Sequence, residues 1–244
     1  MDKIKSIKDR LPSTKKILSR AINDLLNEYS VLSLRELIEK IGTSKVAVEI
    51  EKRADSIYRS EEKKALKSYL VDKGLSDNEA TKVVDLILHE KNLTKEISNI
   101  RRARAGKTAE EILIEILKAH NIPCEKGKSF EGYRPDVIVP SKHLLDVDIG
   151  KVIAIAVKRT LRERWAEDID VFNKFPNGKF VLLTPDPDFN EEKAQDMVKR
   201  GMREVYIPDE LYNQLPFIAN YPQFKKLSTL PLEIKTFLGD KKFG

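Results

Sequence analysis

The sequence predicts an α/β protein, a central mixed β-sheet flanked by helices, preceded by an all-helical N-terminal domain. Three observations carry that expectation. The first hundred residues place apolar side chains at helical spacing and show no strand-like alternation. After Gly106, short β-branched runs alternate with helical stretches, the pattern of a sheet whose strands are joined by helices. Of 244 residues, 41% are hydrophobic, enough to bury a core without disulfide or metal staples.

Residues 14–29 carry Ile17, Leu18, Ile22, Leu25 and Leu26 on one helical face. Ser33 reads as an N-cap with Glu36 as its capping-box partner, and Gly42 closes the helix that follows. Helical patterns then cover 45–59 and 61–72, the second stopped by Gly74, and 77–89, where Val83, Val84, Leu86, Ile87 and Leu88 are apolar. A boundary is expected within 90–105, giving a helical domain over 1–95 and a second domain over 96–244. The second domain should open with a helix over 108–119. Residues 135–140 read as a short strand between Pro135 and Pro140. The apolar run 152–157 reads as a buried central strand, followed by a helix over 162–173. Pro176, Asn177 and Gly178 turn the chain into another buried strand, Lys179–Leu183. A helix over 191–200 ends at Gly201, and 203–207 supplies a further strand.

The charge balance narrows the function classes. Charged residues reach 34%, against about a quarter in ordinary soluble proteins. The net charge is +6, the isoelectric point about 9.1 and the mean hydropathy −0.43. That excess suits a polyanionic partner or a heavily salted, thermostable surface. No stretch approaches the roughly 18 uncharged apolar residues of a membrane span. Residues 1–6 lack the apolar run of a secretion signal, so a cytoplasmic protein is expected, with no membrane partner. The single cysteine, Cys124, excludes an internal disulfide framework and a multi-cysteine zinc site. His89, His120 and His143 share no helical metal-ligand spacing.

Two residues could carry chemistry. Asp136 stands at the start of one predicted strand and Lys158 at the end of the next long one. A carboxylate there can bind a hard cation, and a lysine can stabilise negative charge or help activate water beside a phosphate. On spacing alone the signal is weak, and two charged strand ends are the better explanation of the pair.

The neighbouring residues add more. Tyr133-Arg134-Pro135-Asp136, followed by Ala154-Ile155-Ala156-Val157-Lys158, resembles the PD…(D/E)xK nuclease core. Ala156 stands where that motif has an acid, so either the site is dead or the second carboxylate comes from elsewhere. Lys158-Arg159-Thr160-Leu161-Arg162-Glu163-Arg164-Trp165 resembles the K…R(D/E)R segment of type II restriction endonucleases that read CCGG or interrupted CC–GG sites. In that group the strand position is small or neutral and the acid migrates to the next helix, which suits Ala156. Residues 101–110, Arg101-Arg102-Ala103-Arg104-Ala105-Gly106-Lys107-Thr108-Ala109-Glu110, resemble the RxxRAGK(S/T)xE stretch of the EcoRII-like members. Four cations without an acid, meeting a helix N-terminus, would suit a phosphate. The alternative is a solvated basic linker capped at Thr108. The resemblance covers roughly 100–185.

It implies a restriction-endonuclease-like core that hydrolyses double-stranded DNA with Mg2+ in a bacterial or archaeal cytoplasm. Asp136 and a helix acid would hold the metal, with the Val157 carbonyl as a further ligand. Lys158 would assist the attacking water, and Glu110, in the first turn of its helix, would support the metal shell. At the helix positions of the family pattern this chain has Val171 and Phe172, so Glu167 or Asp170 is the expected acid, with Asp168 a third choice. Arg162, Glu163 and Arg164 would read bases, since arginine is bidentate to guanine and a carboxylate accepts from cytosine N4. Arg101, Arg102, Arg104 and Lys107 would contact phosphates. A palindromic site asks for a homodimer or higher homo-oligomer, with no small-molecule cofactor besides the metal. Trp165, Cys124 and the histidines read as structural. The rivals are a nuclease fold that binds DNA without cutting it and a nuclease that reads DNA structure instead of sequence.

Overall fold

The computed structural model describes residues 6–89, 95–130, 134–161 and 179–240. The N-terminal part is helical: α1 (Ile7–Arg10), α2 (Thr14–Glu28), α3 (Leu34–Ile41), α4 (Thr43–Asp72) and α5 (Asp77–His89). Local signals act as expected at several ends. The Ser33 hydroxyl accepts from the Glu36 N–H at 3.2 Å, while the Glu36 carboxylate takes the Leu32 N–H at 2.9 Å. The box is thus reciprocal, shifted outward by one residue. Gly42 and Gly74 adopt positive φ at the ends of α3 and α4, where an L side chain would be strained.

Two expectations are corrected. Residues 45–59 and 61–72 are not separate helices but one, α4, because Ala54, Tyr58, Glu62, Ala65 and Leu66 continue a single buried stripe past Ser60. The helix expected to start at Thr108 begins thirteen residues earlier, as α6 (Lys95–Ala119). The Thr108 hydroxyl does not cap it; it donates back to the Arg104 carbonyl at 2.9 Å, as a mid-helix threonine does. Glu110 accordingly sits in the helix interior, not in its first turn.

Among the described residues the sheet has six strands in sequential order: β1 (Glu125–Lys126), β2 (Val137–Val139), β3 (Ile153–Val157), β4 (Lys179–Leu183), β5 (Val205–Ile207) and β6 (Phe224–Lys226). The first three pair antiparallel and β3 to β6 run parallel, so the sheet is mixed. Strand alternation sorts the two faces. Ala154 and Ala156 join an apolar layer with Ile138, Phe180 and Leu182; Ile153 and Ile155 join the opposite layer with Val137, Val181 and Tyr206. The helix α6 unites the two parts of the molecule. Its Leu113, Ile114 and Leu117 pack on the second sheet layer, while Ile112 and Ile116 pack with α2, α3 and α4 in the helical core. Strands β1 and β6 and the terminal helix Leu230–Asp240 were not expected. A strand of two or three residues presents too short a run for alternation to register.

Candidate active site

The antiparallel pairing of β2 with β3 sets Val137 opposite Ile155. That register carries Asp136, one residue before β2, to the end of β3 where Lys158 leaves the sheet. The Asp136 N–H donates to the Ile155 carbonyl at 3.0 Å, and its carboxylate accepts the Val157 N–H at 2.7 Å. The Lys158 N–H donates to the Leu183 carbonyl at 2.9 Å, extending the parallel ladder by one residue. Both groups are therefore fixed through the backbone of the central strand.

Glu110 projects from α6 into the same neighbourhood. Burial holds the Asp136 carboxyl above the usual aspartate range, opposed by the Val157 N–H and by the charges of Lys158 and Arg134. Glu110 is raised as well, by burial first and then by the Asp136 charge, with Lys126 and Arg134 pulling the other way. Two desolvated carboxylates, the charge of Asp136 raising Glu110, with cations beside them, form an oxygen-donor set suited to a hard divalent cation. Among the described residues no group of three or more acids, histidines or cysteines is placed to hold a metal ion.

Close packing supports this arrangement. The Gly127 N–H donates to the Asp136 carbonyl at 3.0 Å, and Arg134 Nε donates to the Gly127 carbonyl at 3.2 Å. Gly127 lies so near Pro135 that a Cβ would come within 2.6 Å of its carbonyl carbon. Lys126 pairs with the buried Glu111. Beyond Lys158, Arg159 pairs with Glu51 of α4 at 2.5 Å, tying the end of β3 to the helical layer. Gly127, Arg134 and Arg159 carry no local sequence signal for these roles.

The other expected site residues divide into three groups. Arg162, Glu163, Arg164, Trp165, Glu167, Asp168 and Asp170 lie outside the described residues, as does the side chain of Arg102. Lys107 is exposed. Arg101 and Arg104 do not form a cationic helix N-terminus, because α6 runs straight through them. Arg101 forks onto the buried Glu62, with Nε at 3.1 and 3.0 Å from its two oxygens and Nη2 at 2.6 Å. Arg104 stacks over the Tyr58 ring, 4.5 Å from its centre, and donates to the Pro12 carbonyl. These two guanidiniums hold α6 to α4 and to the segment before α2.

Comparison with known proteins decides the family. The model of the EcoRII C-terminal family matches residues 58–233, most of the chain and all of the site just described. The chain belongs to this family of type II restriction endonucleases. The type II restriction enzyme SsoII of Shigella sonnei is 31% identical over 140 residues, which cover 51% of this chain and 46% of that enzyme. The matched stretch thus spans about half of that relative. An uncharacterised protein of Dactylococcopsis salina, from the region 5′ of DsaVM, is 30% identical over 69 residues, 28% of this chain and 57% of that protein. Among solved structures, a complex of restriction endonuclease PspGI with substrate DNA superposes with a TM-score of 0.76 at 24% identity, covering 99% of this chain and 98% of that one. Metal-depleted Ecl18kI bound to uncleaved, modified DNA gives 0.72 at 19% identity, covering 96% and 81%. Family membership and these likenesses establish a restriction-endonuclease-like fold, with α1 to α5 as its helical N-terminal region.

Proposed function

We propose that the protein is a metal-dependent type II restriction endonuclease that cuts both strands of DNA within a short palindrome with a CC–GG-type core. The observation that carries this reading is the meeting of Asp136, Glu110 and Lys158 at the end of β3 in a chain of the EcoRII C-terminal family. The DNA complexes among its structural neighbours support a double-stranded DNA substrate. Among the described residues, no helix is long and apolar enough to cross a membrane.

Asp136 would hold a magnesium ion together with the Val157 carbonyl and a carboxylate from Glu167 or Asp170, and Glu110 would support that shell. The bound cation supplies charge neutralisation at the scissile phosphate and a lowered pKa for water. The protein's own part is positional. The Val157 N–H fixes the Asp136 carboxylate, and the backbone bond to Leu183 fixes the start of Lys158, whose ammonium stabilises negative charge at the phosphate and orients the attacking water. Arg162 and Arg164 would read guanine edges and Glu163 a cytosine amine. Arg102 and Lys107 would contact phosphates. A palindrome read this way calls for a two-fold homodimer or a higher assembly.

Incubation with plasmid DNA and magnesium tests the proposal, with the ends sequenced afterwards. Discrete fragments bounded by a CC–GG-type palindrome are the expected result. Smearing would mean a nuclease without sequence preference, and binding without cutting would mean a fold that has lost its chemistry.

A further inference from the structure

Three residues after Lys158 the chain is fastened a second time, by a group outside the catalytic cluster. Asp186 is 1% exposed, in the loop between β4 and the helix Glu191–Lys199. One carboxylate oxygen accepts the Leu161 N–H at 2.8 Å and the Lys193 ammonium at 3.0 Å; the other accepts the Asp188 N–H at 3.1 Å. Its own N–H is bound by the Thr184 hydroxyl at 3.2 Å. Lys193 is locked in turn by the Asp188 carbonyl at 2.8 Å. Burial alone would raise the acid, yet these donors hold it below the ordinary aspartate range. The charge is thus kept, and kept satisfied.

Leu161 is pinned twice, its side chain within the apolar layer beside Ile138 and Phe180 and its backbone on Asp186. A buried carboxylate with a dedicated counter-ion is an expensive way to terminate one loop, since an apolar residue of similar volume is often as stable. What it adds is direction. The Leu161 peptide is the last described one before Arg162.

We propose that Asp186 is a specificity-positioning residue: through the Leu161 N–H it fixes the start of the base-reading segment relative to Lys158. The inference rests on the reading of Arg162, Glu163 and Arg164 as base contacts, and the test separates the two. Wild-type protein, Asp186→Ala, Asp186→Glu and Arg162→Ala are titrated, without divalent metal, against short duplexes holding CCGG or an interrupted CC–GG centre and against a scrambled duplex. Cleavage rates at saturating duplex with magnesium are measured alongside. Because base contacts depend on sub-ångström placement, Asp186→Ala should reduce the ratio of cognate to scrambled affinity by about tenfold or more. Cleavage at saturation is read beside it because Glu167 and Asp170 follow in the same segment, whereas the Asp136 and Lys158 backbone bonds do not involve Asp186. Asp186→Glu keeps the charge for Lys193 but moves the acceptor by a methylene, so it should lose specificity too; it carries the test if the alanine variant does not fold. A wild-type ratio in a folded Asp186 variant, or equal losses on both duplexes, would overturn the proposal while Arg162→Ala still collapses the ratio. If Arg162→Ala leaves the ratio intact, the base-reading assignment itself falls, and the proposal with it.

Discussion

Gly127→Ala should silence the enzyme without touching a reactive group. The new Cβ would lie 2.6 Å from the Pro135 carbonyl carbon and closer still to its oxygen, where carbon contacts settle at about 3.5 Å or more. One of the two backbones must therefore give way by well over ~1 Å, the oxygen setting the requirement. Neither is free to do so cheaply. The Gly127 N–H holds the Asp136 carbonyl at 3.0 Å, and the Asp136 N–H and carboxylate are bound to Ile155 and Val157 at 3.0 and 2.7 Å. Strain at Gly127 is thus handed to Asp136, and a misplacement of about 1 Å at a reacting centre can cost on the order of 100-fold in rate. The cost in stability should be about 1–3 kcal/mol, as for other overpacked sites. Single-turnover cleavage at saturating DNA isolates the effect, with duplex affinity measured in parallel without metal. Cleavage within a few-fold of wild type in a folded variant would refute the view that β1 buttresses Asp136.

Asp136→Ala and Lys158→Ala should each abolish cleavage while leaving affinity for the cognate duplex largely intact, because both are assigned to phosphate chemistry and not to bases; gel-shift titration beside a cleavage assay checks this. Arg101→Ala, which among the described residues leaves the buried Glu62 with only Tyr58 as donor at 2.9 Å, should lower stability by about 2–3 kcal/mol in thermal unfolding. Lys107→Ala should leave stability within about 0.5 kcal/mol, weaken cognate and scrambled duplexes alike and reduce the salt slope of binding by about one. The raised carboxyls give a pH signature: a folded pKa above the unfolded one makes ionisation oppose folding, so stability is lost as pH rises through the carboxylate range. Metal-free Asp136→Asn and Glu110→Gln should hence melt above wild type at pH 8, with the gap closing as pH falls toward 4; a gap that persists in acid would refute the assignment.

Much of this architecture is legible in the residues. Capping chemistry at Ser33, chain reversals at Gly42 and Gly74, and β-branched runs such as Ile153–Val157 are local signals, and they locate α3, the end of α4 and the central strand. The Asp136 and Lys158 pairing is legible because strand periodicity and the neighbouring motif point the same way. What fails is inference from local punctuation where tertiary contacts overrule it. Gly106 and Thr108 look like the break before a helix, yet α6 is held straight through them by Arg101 on Glu62 and Arg104 on Tyr58. Those partners lie some forty residues away in sequence, out of reach of any window. The same cause hides Gly127, whose importance is a distance to Pro135, and Asp186, whose partner Leu161 sits on another strand's exit.

Ala156 shows why the motif departs from its usual form. It is fully buried, paired in register with Leu182, and shares its layer with Ala154, Phe180 and Leu161. A carboxylate in that position would be desolvated on all sides by apolar groups, and it would take up a proton sooner than hold a charge. A metal ligand must be ionised, so under the proposed function the completing acid would come from beyond the strand. Asp136 escapes the same fate because the Val157 N–H and the nearby Lys158 and Arg134 oppose its desolvation. Under the proposed function the second metal ligand is therefore sought outside β3, at Glu167 or Asp170.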